Sequence, residues 1–239
     1  MTDGTARGGQ ASGGTNRAPV EDRVLDAALD CLSRWGLAKT TAEDIARAAG
    51  ISRATLYRVF PGGVATIISA LSDRQMERLM GEVVDAVPEC SSIDALLIDG
   101  ICAAGRFLAD QPALHYLVAH EPEILLPHFS FDNIDPVLAF CTEVLAPLAE
   151  RFVPRHVAEE MVEWASRLVL SLTFAPGLVD VTDPEEVGDL VRNLLLPGFA
   201  EELFDIVGAT VSATGSVVPT DEFSSNPAEQ TLSPQTLSQ

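Results

Sequence analysis

The chain has 239 residues, 47% of them hydrophobic and 21% charged, and its 15 Lys/Arg against 35 Asp/Glu give a formal net charge of -20. That suits a globular protein with a substantial core, in one large domain or two small ones. No apolar run approaches the ~18–20 residues that span a bilayer, and the N-terminus MTDGTARGGQASGGTNRAP lacks the apolar stretch of a secretory signal, so a cytoplasmic protein is expected. The charge is uneven. Residues 1–80 hold ten Lys/Arg and nine Asp/Glu, a balance of +1, whereas residues 81–239 hold five and twenty-six, a balance of -21. The second part repels a polyanion and the first does not.

In chain order, residues 1–18 are rich in Gly, Ser and Thr and are expected to be a disordered arm. A first helix is predicted from Val20 to Trp35, because Val20, Val24, Ala28, Leu32 and Trp35 share one face and Gly36 stops it. Thr40 or Thr41 can cap a second helix, with Glu43 or Asp44 three residues on as reciprocal partner, ending at Ala49-Gly50. Ser52 caps a third, through about Phe60, and Pro61-Gly62-Gly63 breaks it before a fourth from Val64 to about Val87.

Helical patterns continue beyond Pro88, and strand alternation does not occur. Ser91 or Ser92 can open a helix to Ala109 and Pro112 one to His120; Pro122 and Pro127 then break the chain. Further helices are predicted over residues 133–151, entered through Asp135-Pro136, then from Pro154 to Ala175, then from Asp183-Pro184 until Pro197-Gly198 disturbs it. Residues 208–239, rich in Ser, Thr, Pro and Gln, read as a loose tail. The fold class is all-α.

The second and third helices, joined at Ala49-Gly50-Ile51, make a helix-turn-helix. Ile45, Ala46, Ala49, Ile51, Leu56 and Phe60 form its apolar floor, leaving Arg53, Ala54, Tyr57 and Arg58 on the other face. A short helix of this kind fits a major groove, where an arginine can bond guanine. Here the sequence resembles the TetR (tetracycline-repressor-like) family of bacterial regulators. The resemblance lies in Ile45-Ala46-Arg47-Ala48-Ala49-Gly50-Ile51-Ser52 followed by Arg53-Ala54-Thr55-Leu56-Tyr57-Arg58-Val59-Phe60-Pro61, and covers about residues 20–68.

The resemblance implies a helix-turn-helix DNA-binding domain over residues 19–64 and a larger helical domain for ligand binding and dimerisation over 65–207. It implies DNA contacts from Thr40, Thr41, Arg53, Ala54, Thr55, Tyr57 and Arg58, with Arg53 reading bases while Tyr57 and the threonines hold phosphates. Two positions depart from the family pattern: Val59 stands where a phosphate-bonding side chain is usual, and Gly62-Gly63 where a lysine often stands. The glycine amides, and Arg7, Arg17 and Arg23 of an arginine-bearing arm, are the substitutes.

The apolar residues of the middle helices, Ile98, Cys102, Phe107, Leu117, Phe140, Leu145, Trp164, Leu168 and Phe174, are core or pocket lining; periodicity does not separate the two. The resemblance implies a ligand cavity among these helices, with Gly100 and Gly105 leaving room for a hydrophobic or amphipathic molecule. The last two helices carry aliphatic stripes, Val157, Met161, Trp164, Leu168 and Leu172, then Val187, Leu190, Val191, Leu194 and Leu195. The family pairs such helices across a two-fold axis, which implies a homodimer on a palindromic operator in double-stranded DNA, a repressor released by a small molecule. A helical interaction or small-molecule-binding protein that has lost operator binding is the alternative.

Other chemistries lack their signatures. There is no G-x-S-x-G, P-loop, H-E-x-x-H or dinucleotide glycine fingerprint, so no catalytic residue and no cofactor is expected. His115, His120 and His128 lie near Glu121 and Glu123, but His115 and His120 point ~140° apart on a helix, and no metal site is expected. Glu159, Glu160 and Glu163 read as a solvated face. The four dispersed cysteines, Cys31, Cys90, Cys102 and Cys141, read as small hydrophobes.

Overall fold

Apolar side chains three and four positions apart set where each helix lies in the structure, a computed structural model that describes residues 19–125, 131–175, 177 and 179–204. Helix α1 (Val20–Trp35) buries Val24, Leu25, Ala28, Cys31 and Leu32. Helix α2 (Ala42–Ala48) buries Ala42, Ile45 and Ala46, and α3 (Arg53–Val59) buries Leu56. Val24, Ala28, Ile45, Leu56 and Ile67 are wholly inaccessible, so the first three helices and the start of α4 (Val64–Ala86) close on one core.

The turn between α2 and α3 is built as the sequence requires. Gly50 has φ +63°, a left-handed conformation that glycine adopts without a Cβ penalty. Arg23 of α1 donates from its guanidinium to the carbonyls of Ala49 and Gly50, satisfying acceptors at the C-terminal end of α2. Arg23 therefore serves the fold of the helix-turn-helix and is not part of an arginine arm; Arg7 and Arg17 lie outside the described residues. The ends of the chain read as an arm (1–18) and a tail (208–239) lie there too.

Helix α4 rises ~34 Å at 1.5 Å per residue and packs on α1, α5 and α8. Helix α5 (Ile93–Ala109) is capped by Ser92, whose hydroxyl also holds the Asp94 carboxyl below the usual carboxylate range. Then come α6 (Pro112–His120), opened by a proline whose missing N–H costs nothing there, and α7 (Pro122–Leu125), a short turn of helix where the sequence reading has only a break. Helix α8 (Phe131–Ala149) starts two residues before the predicted 133 and contains Pro136 instead of starting at it; a proline near a helix start forfeits one hydrogen bond without ending the helix.

Helices α8 and α9 (Arg155–Phe174) pack together, and α5 crosses α9. The side chain of Asp183 caps α10 (Pro184–Leu190) through the amides of Glu185 and Glu186. The chain continues as a π-helical turn at Val191–Leu195 and a 3₁₀ turn at Leu196–Phe199, around Pro197. All regular structure among the described residues is helical, and no single helix there is long and apolar enough to cross a membrane. The described residues up to Ala200 form one compact unit.

Candidate functional site

The exposed face of α3 follows from how its other face is fixed. Ser52 caps the helix, accepting from the Thr55 amide at 3.1 Å, and the two hydroxyls lie 2.9 Å apart. Leu56 and Phe60 are buried in the core, which turns Arg53, Ala54, Tyr57 and Arg58 to solvent with Thr55 half-buried beside them. The Arg53 guanidinium lies over the Tyr57 ring, 5.5 Å from its centroid, a cation–π contact that orders both side chains. The result is a short rigid helix presenting two arginines and a phenol.

The two threonines before α2 part company. Thr41 is exposed and caps α2, accepting from the Asp44 amide at 3.2 Å while its hydroxyl donates to the Asp44 carboxylate. That bond holds the Asp44 carboxyl below the usual carboxylate range. Thr40 is only 7% exposed, and its hydroxyl donates to the Gly36 carbonyl. In this structure Thr40 braces the turn and is not presented with Thr41. Lys39, which the sequence reading passes over, is exposed one residue earlier; its being the chain's one lysine, beside a cap, was the available signal. Arg47 pairs with Glu43 at 3.3 Å and Asp44 at 3.1 Å, which neutralises it.

The two departures from the family pattern have structural counterparts. Val59 is half-buried and packs against the core of the first helices. The Tyr57 ring lies 3.2 Å from where a Cβ on Gly63 would stand, and the Gly63 amide already donates to Phe60 at 2.9 Å. Of the two glycine amides offered as phosphate ligands, that of Gly63 is thus spent within the turn.

A contact across 84 positions ties this head to the rest of the chain. Glu121, between α6 and α7, is 7% exposed, and its carboxylate accepts from the Leu37 amide at 2.7 Å and the Ala38 amide at 3.3 Å. Gly36 makes the approach possible: it has φ +75°, and a Cβ there would collide with the Glu121 carboxylate and the Tyr116 ring. The α1–α2 turn is therefore seated on a buried, charge-assisted acceptor from the body. A second tie is the 2.9 Å ion pair from Arg74 of α4 to Asp26 of α1.

In the body, a cavity of about 90 Å³ lies between α4, α5, α8 and α9. Met76, Leu79, Met80 and Val83 of α4 form one wall, Gly100, Ile101 and Ala104 another, and Cys141, Leu145, Val162 and Val169 close it. No charged side chain lines it; burial pushes the Cys141 thiol up, which keeps it neutral. Of the residues read from sequence, Leu145 and Gly100 are on its wall. Phe107 and Leu117 instead line a second cavity, of about 260 Å³, between α1, α4, α5 and α6.

The remaining candidates line neither cavity. Cys102 is buried and Ile98, Leu168 and Phe174 are half-buried, while Phe140 is 38% and Trp164 57% exposed. Gly105 lets the Val181 backbone pack where its Cβ would stand, and it lines a separate cavity of about 590 Å³ between α5, α6, α9 and the chain before α10. The two stripes divide likewise: Val157, Met161, Val187 and Val191 are buried within the protomer, and Trp164 and Leu194, at 57% and 64%, stand out.

Among the described residues no three His, Cys, Asp or Glu side chains converge as metal ligands. His120 stacks on Tyr116 with ring centroids 4.4 Å apart, His115 is exposed, and His128 lies outside the described residues. On α9, Glu159 and Glu163 pair with Arg155 at 2.8 Å and Arg167 at 2.7 Å.

Known proteins match the head and, more broadly, about three quarters of the chain. Residues 24–62 match the profile of "Bacterial regulatory proteins, tetR family". The uncharacterised HTH-type transcriptional regulator Rv1255c of Mycobacterium tuberculosis is 29% identical over 187 residues, covering 75% of this chain and 87% of the relative. In fold, the chain is similar to the TetR family repressor AlkX from Dietzia sp., implicated in biodegradation of n-alkanes, with TM-score 0.59 and 24% identity over 78% of this chain and 98% of the other. It is also similar to the fatty acid degradation regulator FadR from Bacillus halodurans, with TM-score 0.51 and 18% identity over 75% and 97%.

Proposed function

We propose that the chain is a TetR-family transcriptional regulator, an effector-released repressor binding a palindromic operator as a homodimer. The observation that carries the reading is the outward face of α3, where Arg53, Ala54, Tyr57 and Arg58 are exposed while Leu56 and Phe60 anchor the helix in the core. Arg53 reads a base edge. Tyr57, Arg58, Thr55, Thr41 and Lys39 hold phosphates and set the register. The acidic remainder of the chain stays off the duplex.

The effector enters the body cavity, whose uncharged aliphatic lining supports a hydrophobic ligand. Trp164 and Leu194 pair across the two-fold axis of the dimer, burying apolar surface that the protomer leaves in water. Binding is a population shift: the ligand favours a dimer whose two α3 helices no longer match the ~34–36 Å between successive major grooves.

Selection of bound duplexes from a random-sequence pool tests the reading. A palindrome with half-sites about one helical turn apart is expected. No enrichment at low salt, from protein shown to be folded and dimeric, would contradict it.

A further inference from the structure

The body cavity, at about 90 Å³, holds only part of the effector proposed above. Ordinary small-molecule sites hold ~300–1,000 Å³. The second cavity, at about 260 Å³, is larger and lies on the seam between the head and the body. The two share a wall: Met76, Leu79 and Leu108 line both. These are unbranched or γ-branched side chains, and methionine in particular refills irregular gaps. Taken together, the two cavities reach the lower end of that range.

The far side of the seam cavity is the DNA head itself. Leu29 and Leu32 of α1 line it, as does Leu37, whose amide donates to Glu121 at 2.7 Å. No charged side chain lines it. Its polar groups are Ser72 and an amide pair, Gln75 donating to Gln111 at 3.1 Å and Gln111 donating to the Phe107 carbonyl at 3.2 Å. Such a site takes an uncharged chain with a hydrogen-bonding end, which the amides can meet by exchanging their mutual bond.

We propose that the seam cavity is a second binding subsite, taking the far end of a linear, uncharged aliphatic effector that passes the Met76–Leu79–Leu108 partition from the body cavity. This rests on the effector reading above and adds how the head senses the ligand. A chain long enough to cross the partition touches α1 and Leu37 directly and competes with the seating of the α1–α2 turn on Glu121. A chain too short to cross fills the body cavity and leaves the head unmoved.

The test uses the full-length protein and primary n-alcohols from butanol to decanol, with calorimetry for affinity and hydrogen exchange for the Leu37 and Ala38 amides. Wild type is expected to bind roughly three- to fourfold tighter per added methylene across the series, with exchange at the two amides rising only for the longer members. Ser72→Phe fills the seam from an exposed position that leaves the core alone. It should bind short alcohols as wild type does and lose the gain for longer ones. Gln111→Leu should weaken only the longer alcohols.

A gain that levels off at the same length in wild type and Ser72→Phe overturns the proposal, as does long-chain binding that leaves both amides protected. So does a complete lack of alcohol binding. Operator selection needs no effector, so a palindrome recovered alongside any of these results leaves the regulator reading standing and removes only the seam subsite.

Discussion

Thr40 and Thr41 are neighbours of the same type, yet only one is exposed at α2. Thr41 holds the first turn of the helix through the Asp44 amide and carboxylate; Thr40 is turned inward to Gly36. Thr41→Ala should cost ~1 kcal/mol, the usual value of an N-cap, in thermal melting followed by circular dichroism. The sign with pH follows from Asp44, whose pKa is lowered by the Thr41 hydroxyl. Its stabilisation is present above the ordinary carboxylate pKa and lost as pH falls through the lowered value. Wild type should therefore lose more stability than Thr41→Ala on acidification below pH ~4; parallel pH curves would refute the assignment. Which threonine caps was not legible in the sequence, because both precede the same acidic pair, and the hydrogen bond that removes Thr40 is set by the Gly36 turn.

Among elements, the head was legible because its signals are local. Caps at Thr41 and Ser52, the Gly50 turn and the apolar floor all lie within some twenty residues, and the structure forms each as expected. The cavities were not, because an apolar residue at helical spacing faces either a neighbour or a void with the same periodicity. Phe140 and Trp164 share the period of the core and face out, whereas Met76 and Val83, on the linking helix, face the cavity.

Glu121 was passed over for another reason: its partners are the Leu37 and Ala38 amides, and no local pattern joins residues so far apart. Removing its carboxylate leaves two part-buried donors without an acceptor, so Glu121→Ala should cost ~1–3 kcal/mol in urea unfolding and raise hydrogen exchange at both amides. Glu121→Gln, which keeps one oxygen acceptor, should lose less. Equal stability in all three proteins would show that the seat contributes nothing to holding the turn.

For the whole molecule, the outward apolar residues point to an assembly. The exposed Trp164 and Leu194 are costly in water for a monomer and expected at the centre of a dimer. Trp164→Glu with Leu194→Glu should shift the protein from dimer to monomer in sedimentation and weaken binding to the full palindrome far more than to a half-site. An unchanged dimer would move the interface elsewhere.

The most direct measurement is a fluorescence-anisotropy titration of wild type and Arg53→Ala onto the selected duplex and its single-base variants, at several salt concentrations. The account predicts that Arg53→Ala weakens binding by ~1–3 kcal/mol and erases discrimination at one position of each half-site, while the wild-type affinity falls steeply with salt. Undiminished discrimination in Arg53→Ala, or wild-type binding that ignores sequence, would contradict the claim that α3 reads the operator.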